Sequence, residues 1–216
     1  MSVEAMRKVV IVDDHPIVRQ GLAQLISQES DLQVVGEADD ARTAIEVLER
    51  VAPDAVIVDL MLKDSSGIDL IKDIKAKSPE ARILVVSMHD EAVYAERALR
   101  AGAHGYIMKQ EATNAVLNAL RKVLADDVYV SEEVVSRMLR RMVGGRPGDG
   151  IERLSDRELE VFQALGQGLS VSEIADKLKV SPKTVDTYRA HIKEKLGLAS
   201  ATDVLRVAVS WLERKS

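Results

Sequence analysis

The chain has 216 residues, 46% hydrophobic and 30% charged, with a formal net charge of −5 and no cysteine. That length supports two modest domains, and the composition excludes a disordered, collagen-like or disulfide-stapled chain as well as thiolate metal centres. No apolar run has the length of a membrane span, and the run at 9–12 ends in two aspartates rather than an export signal, so a cytoplasmic protein with no membrane partner is expected.

Short apolar runs at 9–12, 32–35, 55–58, 82–86 and 105–108 predict buried strands. Helical spacing at 18–26, 43–48, 68–74, 92–99 and 116–124 fills the intervals. Five such alternations predict an α/β fold over residues 1–128, a doubly wound five-stranded parallel sheet of the flavodoxin-like kind. Residues 131–143, with Val134, Val135, Met138, Leu139 and Met142, predict an amphipathic helix. The run Gly144-Gly145-Arg146-Pro147-Gly148-Asp149-Gly150 follows and cannot sustain regular structure, so 129–150 reads as a linker helix and a flexible linker.

Beyond it the strand pattern disappears. Ser155 with Glu158, Ser170 with Glu173 and Ser200 with Asp203 match a helix-capping spacing, and Ser181-Pro182 marks a fourth start. Residues 151–216 therefore predict a small all-α domain with helices near 156–167, 171–178, 182–196 and 201–212. Charge is uneven as well. Residues 177–195 carry six basic side chains against two acids, which suits either a polyanion contact or a solvated helix face.

In parallel sheets, binding chemistry gathers at the carboxyl ends of the strands. There the chain places Asp13 and Asp14 (first strand), Asp59 (third), Ser87 (fourth) and Lys109 (fifth). Three carboxylates at one edge repel unless a cation sits among them, and a hard divalent ion such as Mg2+ fits. Lys109 can neutralise an incoming phosphoryl group, Ser87 can hydrogen-bond one of its oxygens, and Asp59 is the candidate nucleophile, forming an aspartyl phosphate.

These residues, together with Val58-Asp59-Leu60, Val86-Ser87-Met88-His89 and Gly105-Tyr106-Ile107-Met108-Lys109, resemble a two-component response-regulator receiver over about residues 7–125. The resemblance implies that Asp59 takes a phosphoryl group from a sensor histidine kinase. It implies that Asp14 binds Mg2+ directly and Asp13 through water, with the Met61 backbone carbonyl as a further ligand beside Asp59. Ser87 and Tyr106 would be the switch pair. Lys63 stands where such proteins commonly carry proline. His15, His104 and His191 lack the spacing of a metal site; His15 either shapes the acidic cluster or has a loop-start role.

In the second domain, Val185, Tyr188, Ile192 and Leu196 mark the buried stripe of one helix, leaving Lys183, Asp186, Thr187, Ala190 and Lys193 opposite. Periodicity alone fits a plain helix pair as well as a major-groove reader. The segments Leu154-Ser155-Asp156-Arg157-Glu158, Gly168-Leu169-Ser170-Val171-Ser172-Glu173-Ile174-Ala175, Val180-Ser181-Pro182-Lys183-Thr184-Val185 and Lys195-Leu196-Gly197 resemble a LuxR-type helix-turn-helix. With the receiver in front, the chain resembles the NarL/FixJ group of response regulators. That implies base contacts at Asp186, Thr187 and Ala190, and phosphate contacts from Lys183, Thr184, Arg189 and Lys193. It also implies dimer packing through the last helix, where Val204, Val207, Ala208 and Trp211 are the expected surface. Lys179 occupies the turn position usually held by glycine.

An aspartyl phosphatase needs a substrate-binding cap, for which 7–125 leaves no room, and a ligand-sensing domain would want more aromatic residues than the 3% present. The expectation is a response-regulator transcription factor rather than an enzyme, limited to its own phosphoryl transfer and slow hydrolysis. It would bind double-stranded promoter DNA as a homodimer when active.

Overall fold

The computed structural model describes residues 6–62, 65–111, 113–143 and 150–213, without the side chains of 113, 114, 141 and 142. Lys63 and all of the glycine-rich linker except Gly150 therefore lie outside the described residues. The chain divides into two compact units, Met1–Val143 and Gly144–Ser216.

In the first unit β1 (Arg7–Val12), β2 (Leu32–Ala38), β3 (Ala55–Val58), β6 (Arg82–Ser87) and β7 (Gly105–Met108) form a five-stranded sheet of order β2-β1-β3-β6-β7. Every neighbouring pair is parallel. Helices α1 (Pro16–Ser27), α2 (Ala41–Val51), α3 (Gly67–Lys77), α4 (Glu91–Ala101) and α5 (Thr113–Leu124) follow the strands. All four residues of β3 are buried, as continuous apolar runs require when helices cover both faces. Val9, Ile11, Ile57, Leu84 and Ile107 pack against Ile26, Leu120 and Val123 in one core.

The strand order reverses at β1 and β3: the chain leaves β1 for β2 on one side and returns to β3 on the other. Above that reversal the connections part and leave a crevice. A short antiparallel pair, β4 (Met61–Leu62) and β5 (Ser65–Ser66), follows β3 and had no counterpart in the sequence pattern. Helix α6 (Glu132–Met142) belongs to this unit and packs on α4. Of its apolar residues, Val134 is buried whereas Val135 and Leu139 are exposed.

The second unit contains a 3-10 turn (Ile151–Arg153), α7 (Asp156–Gly166), α8 (Val171–Leu178), α9 (Pro182–Lys195) and α10 (Ala201–Glu213). Ser155 and Ser170 close reciprocal capping boxes with Glu158 and Glu173, and Ser181 accepts the Thr184 N–H. Phe162 and Trp211 meet edge-on at 5.8 Å between α7 and α10. Among the described residues no helix is long and apolar enough to cross a membrane.

Candidate functional site

Asp13 follows β1 and Asp59 follows β3, so both carboxylates stand over the crevice. Backbone pairing continues past the strand ends: Asp13 N–H donates to Ala38 O at 3.1 Å and Asp59 N–H to Val12 O at 2.8 Å. Asp13 and Asp59 are almost fully buried. Lys109, brought in by β7, donates from Nζ to Asp59 Oδ2 at 2.6 Å and lies 2.7 Å from Asp13 Oδ2. Burial alone would lower the Lys109 pKa, but its bonds to Asp13 and Asp59 hold it above the usual lysine value, so it remains an ammonium at neutral pH.

Asp14 Oδ1 is buried and accepts no hydrogen bond among the described residues. His15 Nδ1 lies 2.8 Å from it, out of line for a bond, and 3.2 Å from Asp13 Oδ1. The His15 backbone N–H also donates to Asp13 Oδ1. His15 occupies the N-cap of α1 without a side-chain cap, and its ring turns toward the carboxylates. Ligand atoms of Asp13, Asp14, His15 and Asp59 all lie within 4.8 Å of one another, a cluster able to hold a metal ion. Met61 sits beside it, its N–H donating to Asp59 Oδ1 at 3.3 Å.

Ser87, fully buried at the end of β6, accepts the His89 N–H at 3.3 Å. Tyr106 OH donates to His89 O at 2.8 Å. Burial pushes the Tyr106 phenol above its usual pKa, while a side-chain hydrogen bond with Ser87 works the other way. His89 therefore links Ser87 and Tyr106 through its backbone N–H and carbonyl beside the acidic cluster.

Two supporting residues carried no signal in the sequence. Arg19 on α1 donates to Asp13 O at 2.7 Å and fixes the loop after β1. Gly67 opens α3 so close to the Asp59 loop that a Cβ there would lie 2.4 Å from Asp59 O and Leu60 Cα. Only a glycine permits that approach.

In the second unit α8 and α9 are joined by Lys179, which adopts the left-handed conformation with φ 52° and ψ 45°. On α9, Val185 and Ile192 are buried, Tyr188 is half-buried, and Lys183, Asp186, Thr187 and Ala190 are exposed on the other side. Arg189 donates to Asp186 Oδ1 at 2.9 Å, so the acid on this face carries its own counter-ion. Thr184 pairs with Ser181 at 2.8 Å, and Lys193 is half-buried.

The expected dimer surface needs correction. Val204, Ala208 and Trp211 are buried within the domain, because α10 is the helix that covers Phe162 of α7. A side chain already used in the domain's own core cannot face a second chain. Val207 is half-buried and Leu205 is the exposed apolar residue of α10.

Residues 9–121 match the family model for the response regulator receiver domain, and residues 152–208 match that for bacterial regulatory proteins of the luxR family. The chain is 38% identical over 202 residues to the Fimbriae Z protein of Salmonella typhimurium, spanning 94% of this chain and 96% of that one. It is 31% identical over 205 residues to the response regulator GacA of Pseudomonas aeruginosa, spanning 94% and 96%. A solved structure of RcsB from Salmonella enterica serovar Typhimurium, bound to promoter rprA in the presence of phosphomimetic BeF3-, aligns with a TM-score of 0.67 at 33% identity, covering 93% of this chain and 97% of that one. The chain therefore belongs to the response regulators that join a receiver domain to a LuxR-type regulatory domain.

Proposed function

We propose that this chain is a cytoplasmic transcription regulator that accepts a phosphoryl group on Asp59 from a sensor histidine kinase. In response it binds double-stranded promoter DNA through α9 as a homodimer. The observation that carries this reading is the Lys109 ammonium lodged between Asp59 and Asp13 at the strand-order reversal.

Asp59 attacks the phosphorus of the donor, forming an acyl phosphate as the bond from phosphorus to the donor's imidazole nitrogen breaks. Lys109 keeps its proton and shifts its charge from the carboxylates to the transferred oxygens. The Ser87 hydroxyl turns to another phosphoryl oxygen, which undoes its bond with the His89 N–H and lets the Tyr106 ring move. Asp14, Asp59 and the Met61 carbonyl would hold Mg2+, with Asp13 acting through water; a buried carboxylate oxygen on Asp14 that accepts no hydrogen bond among the described residues fits a hard, oxygen-seeking cation. When bound, the ion supplies positive charge for the phosphoryl oxygens. No substrate other than the chain itself is turned over.

On α9, Lys183, Thr184, Arg189 and Lys193 are assigned to phosphates, and Asp186, Thr187 and Ala190 to base edges. Support comes from the exposed polar face opposite Val185 and Ile192, and from RcsB, whose structures include dimers on DNA.

Acetyl phosphate with Mg2+ should add one phosphoryl group to the intact protein, and Asp59→Asn should abolish the addition. Undiminished labelling of that variant, read by mass spectrometry, overturns the assignment.

A further inference from the structure

Among the described residues, helix α6 is tied by hydrogen bonds to the first turn of α4. Ser131 Oγ donates to Glu91 Oε1 at 2.5 Å, and Arg137 Nη1 donates to Ala92 O. Glu91 and Ala92 are the first two residues of α4, directly after its N-cap Asp90, whose side chain accepts the Ala92 N–H at 2.7 Å. Ser131 has a second duty, accepting the Val134 N–H at 3.3 Å at the start of α6. Of the apolar side chains of α6, Val134 is buried while Val135 and Leu139 are exposed.

That same turn of α4 is reached from the other side by the bonds that His89 makes with Ser87 and Tyr106. His89 gives its N–H to Ser87 and takes the Tyr106 hydroxyl on its carbonyl, and the next residue is Asp90. The segment leading into α6 is anchored elsewhere: Tyr106 N–H donates to Tyr129 O at 2.7 Å and Tyr129 N–H to His104 O at 3.0 Å. Tyr129 is thus fixed to the sheet, whereas the helix beginning three residues later is held by polar contacts to the first turn of α4.

We propose that Ser131 and Arg137 are positioning residues that latch α6 to the unphosphorylated receiver, and that phosphorylation releases this latch. The inference rests on the reading of Asp59 above. When Ser87 turns to a phosphoryl oxygen, His89 N–H loses its acceptor and the loop 88–90 is freed. The Ala92 carbonyl and the Glu91 carboxylate then move relative to Tyr129, and both donors on α6 lose their partners together. Binding linkage requires the converse as well: a latch that phosphorylation opens must itself oppose the phosphorylated form.

The test uses the full chain and beryllofluoride as the phosphoryl mimic, with Mg2+. In the wild type, beryllofluoride should raise amide exchange across 131–143 roughly tenfold, and in Asp59→Asn it should not. Arg137→Ala should raise exchange there without the mimic and should bind beryllofluoride roughly five- to tenfold more tightly. Ser131→Ala should act in the same direction, and Arg137→Lys, which keeps a donor for Ala92 O, should restore part of the wild-type behaviour. A merely structural role for Arg137 would not tighten beryllofluoride binding. If the wild type binds the mimic at Asp59 yet exchange across 131–143 is unchanged, the latch is overturned and the Asp59 reading stands. If beryllofluoride fails to bind and acetyl phosphate fails to label Asp59, the Asp59 reading itself falls, and the latch with it.

Discussion

Lys195 Nζ donates to Glu158 Oε2 at 2.6 Å, joining the end of α9 to the first turn of α7 across 37 residues of sequence. Glu158 is buried, and the same carboxylate receives the Ser155 N–H at 2.7 Å. His191 Nδ1 approaches its other oxygen at 3.4 Å. One glutamate therefore caps α7, sits under the end of α9 and sets the angle at which α9 leaves the domain.

Glu158→Gln should destabilise the second domain by about 1–3 kcal/mol at pH 7, since Lys195 loses its charged partner. Burial raises the Glu158 pKa, but the Lys195 bond and the Ser155 N–H outweigh it and bring it below the ordinary 4.5. A depressed pKa contributes stability above the unfolded value, and that contribution is lost as pH falls through the folded one. The gap between wild type and variant, read by urea unfolding, should be full at pH 7 and close as pH drops below 4.5. A gap that persists unchanged at low pH would show that the ion pair is not its source.

Lys109→Ala should leave Asp13 and Asp59 buried without their cation, lowering receiver stability by about 3 kcal/mol in metal-free buffer. Added Mg2+ should recover more stability in the variant than in the wild type. Thermal unfolding with and without the ion checks both statements; equal recovery would place the ion elsewhere.

Lys179→Gly should stabilise the helix-turn-helix by about 1 kcal/mol, because Lys179 holds φ 52° where a Cβ crowds the following carbonyl. Chemical denaturation of the full chain should show only the unfolding of the second domain shifting upward. No shift would mean that Lys179 recovers the cost through its side chain.

Lys183→Ala should weaken binding to every DNA sequence and lower the salt slope by about one unit. Asp186→Ala should instead change the preferred site, by about 1–3 kcal/mol at one base pair, and should also free Arg189 from its intrahelical partner. Site selection at two salt concentrations separates the effects. Unchanged preference in both Asp186→Ala and Thr187→Ala would remove α9 as the reader.

The strands and helix starts were legible because their causes are local. β3 is a four-residue apolar run, and Ser155, Ser170 and Ser181 announce helices within three residues. The acidic cluster was legible because strand ends of a parallel sheet share one edge. Arg19 and Gly67 were not, since their reasons are a carbonyl and a backbone approach that only the folded chain brings together. The stripe Val204, Ala208 and Trp211 misled for a related reason: an apolar helix face looks the same whether its own domain or a second chain covers it. Helix α6 shows the opposite case, with one amphipathic pattern divided between a buried Val134 and an exposed Leu139.

Serine opens each of the four α-helices of the second unit; at α10, Ser200 Oγ accepts the Asp203 N–H at 3.1 Å and Asp203 Oδ2 receives the Ser200 N–H at 3.1 Å. Each start is fixed by partners three residues apart, so those turns form without closing a long loop. The sheet works otherwise: β1 must find β3, with Val9 opposite Ala55, before its central strands are covered. Loop closure of that kind slows folding. The two halves therefore run on different clocks after dilution from denaturant or emergence from a ribosome. The DNA-binding half, though made after the receiver, needs the shorter time to become native, while the receiver completes its sheet more slowly.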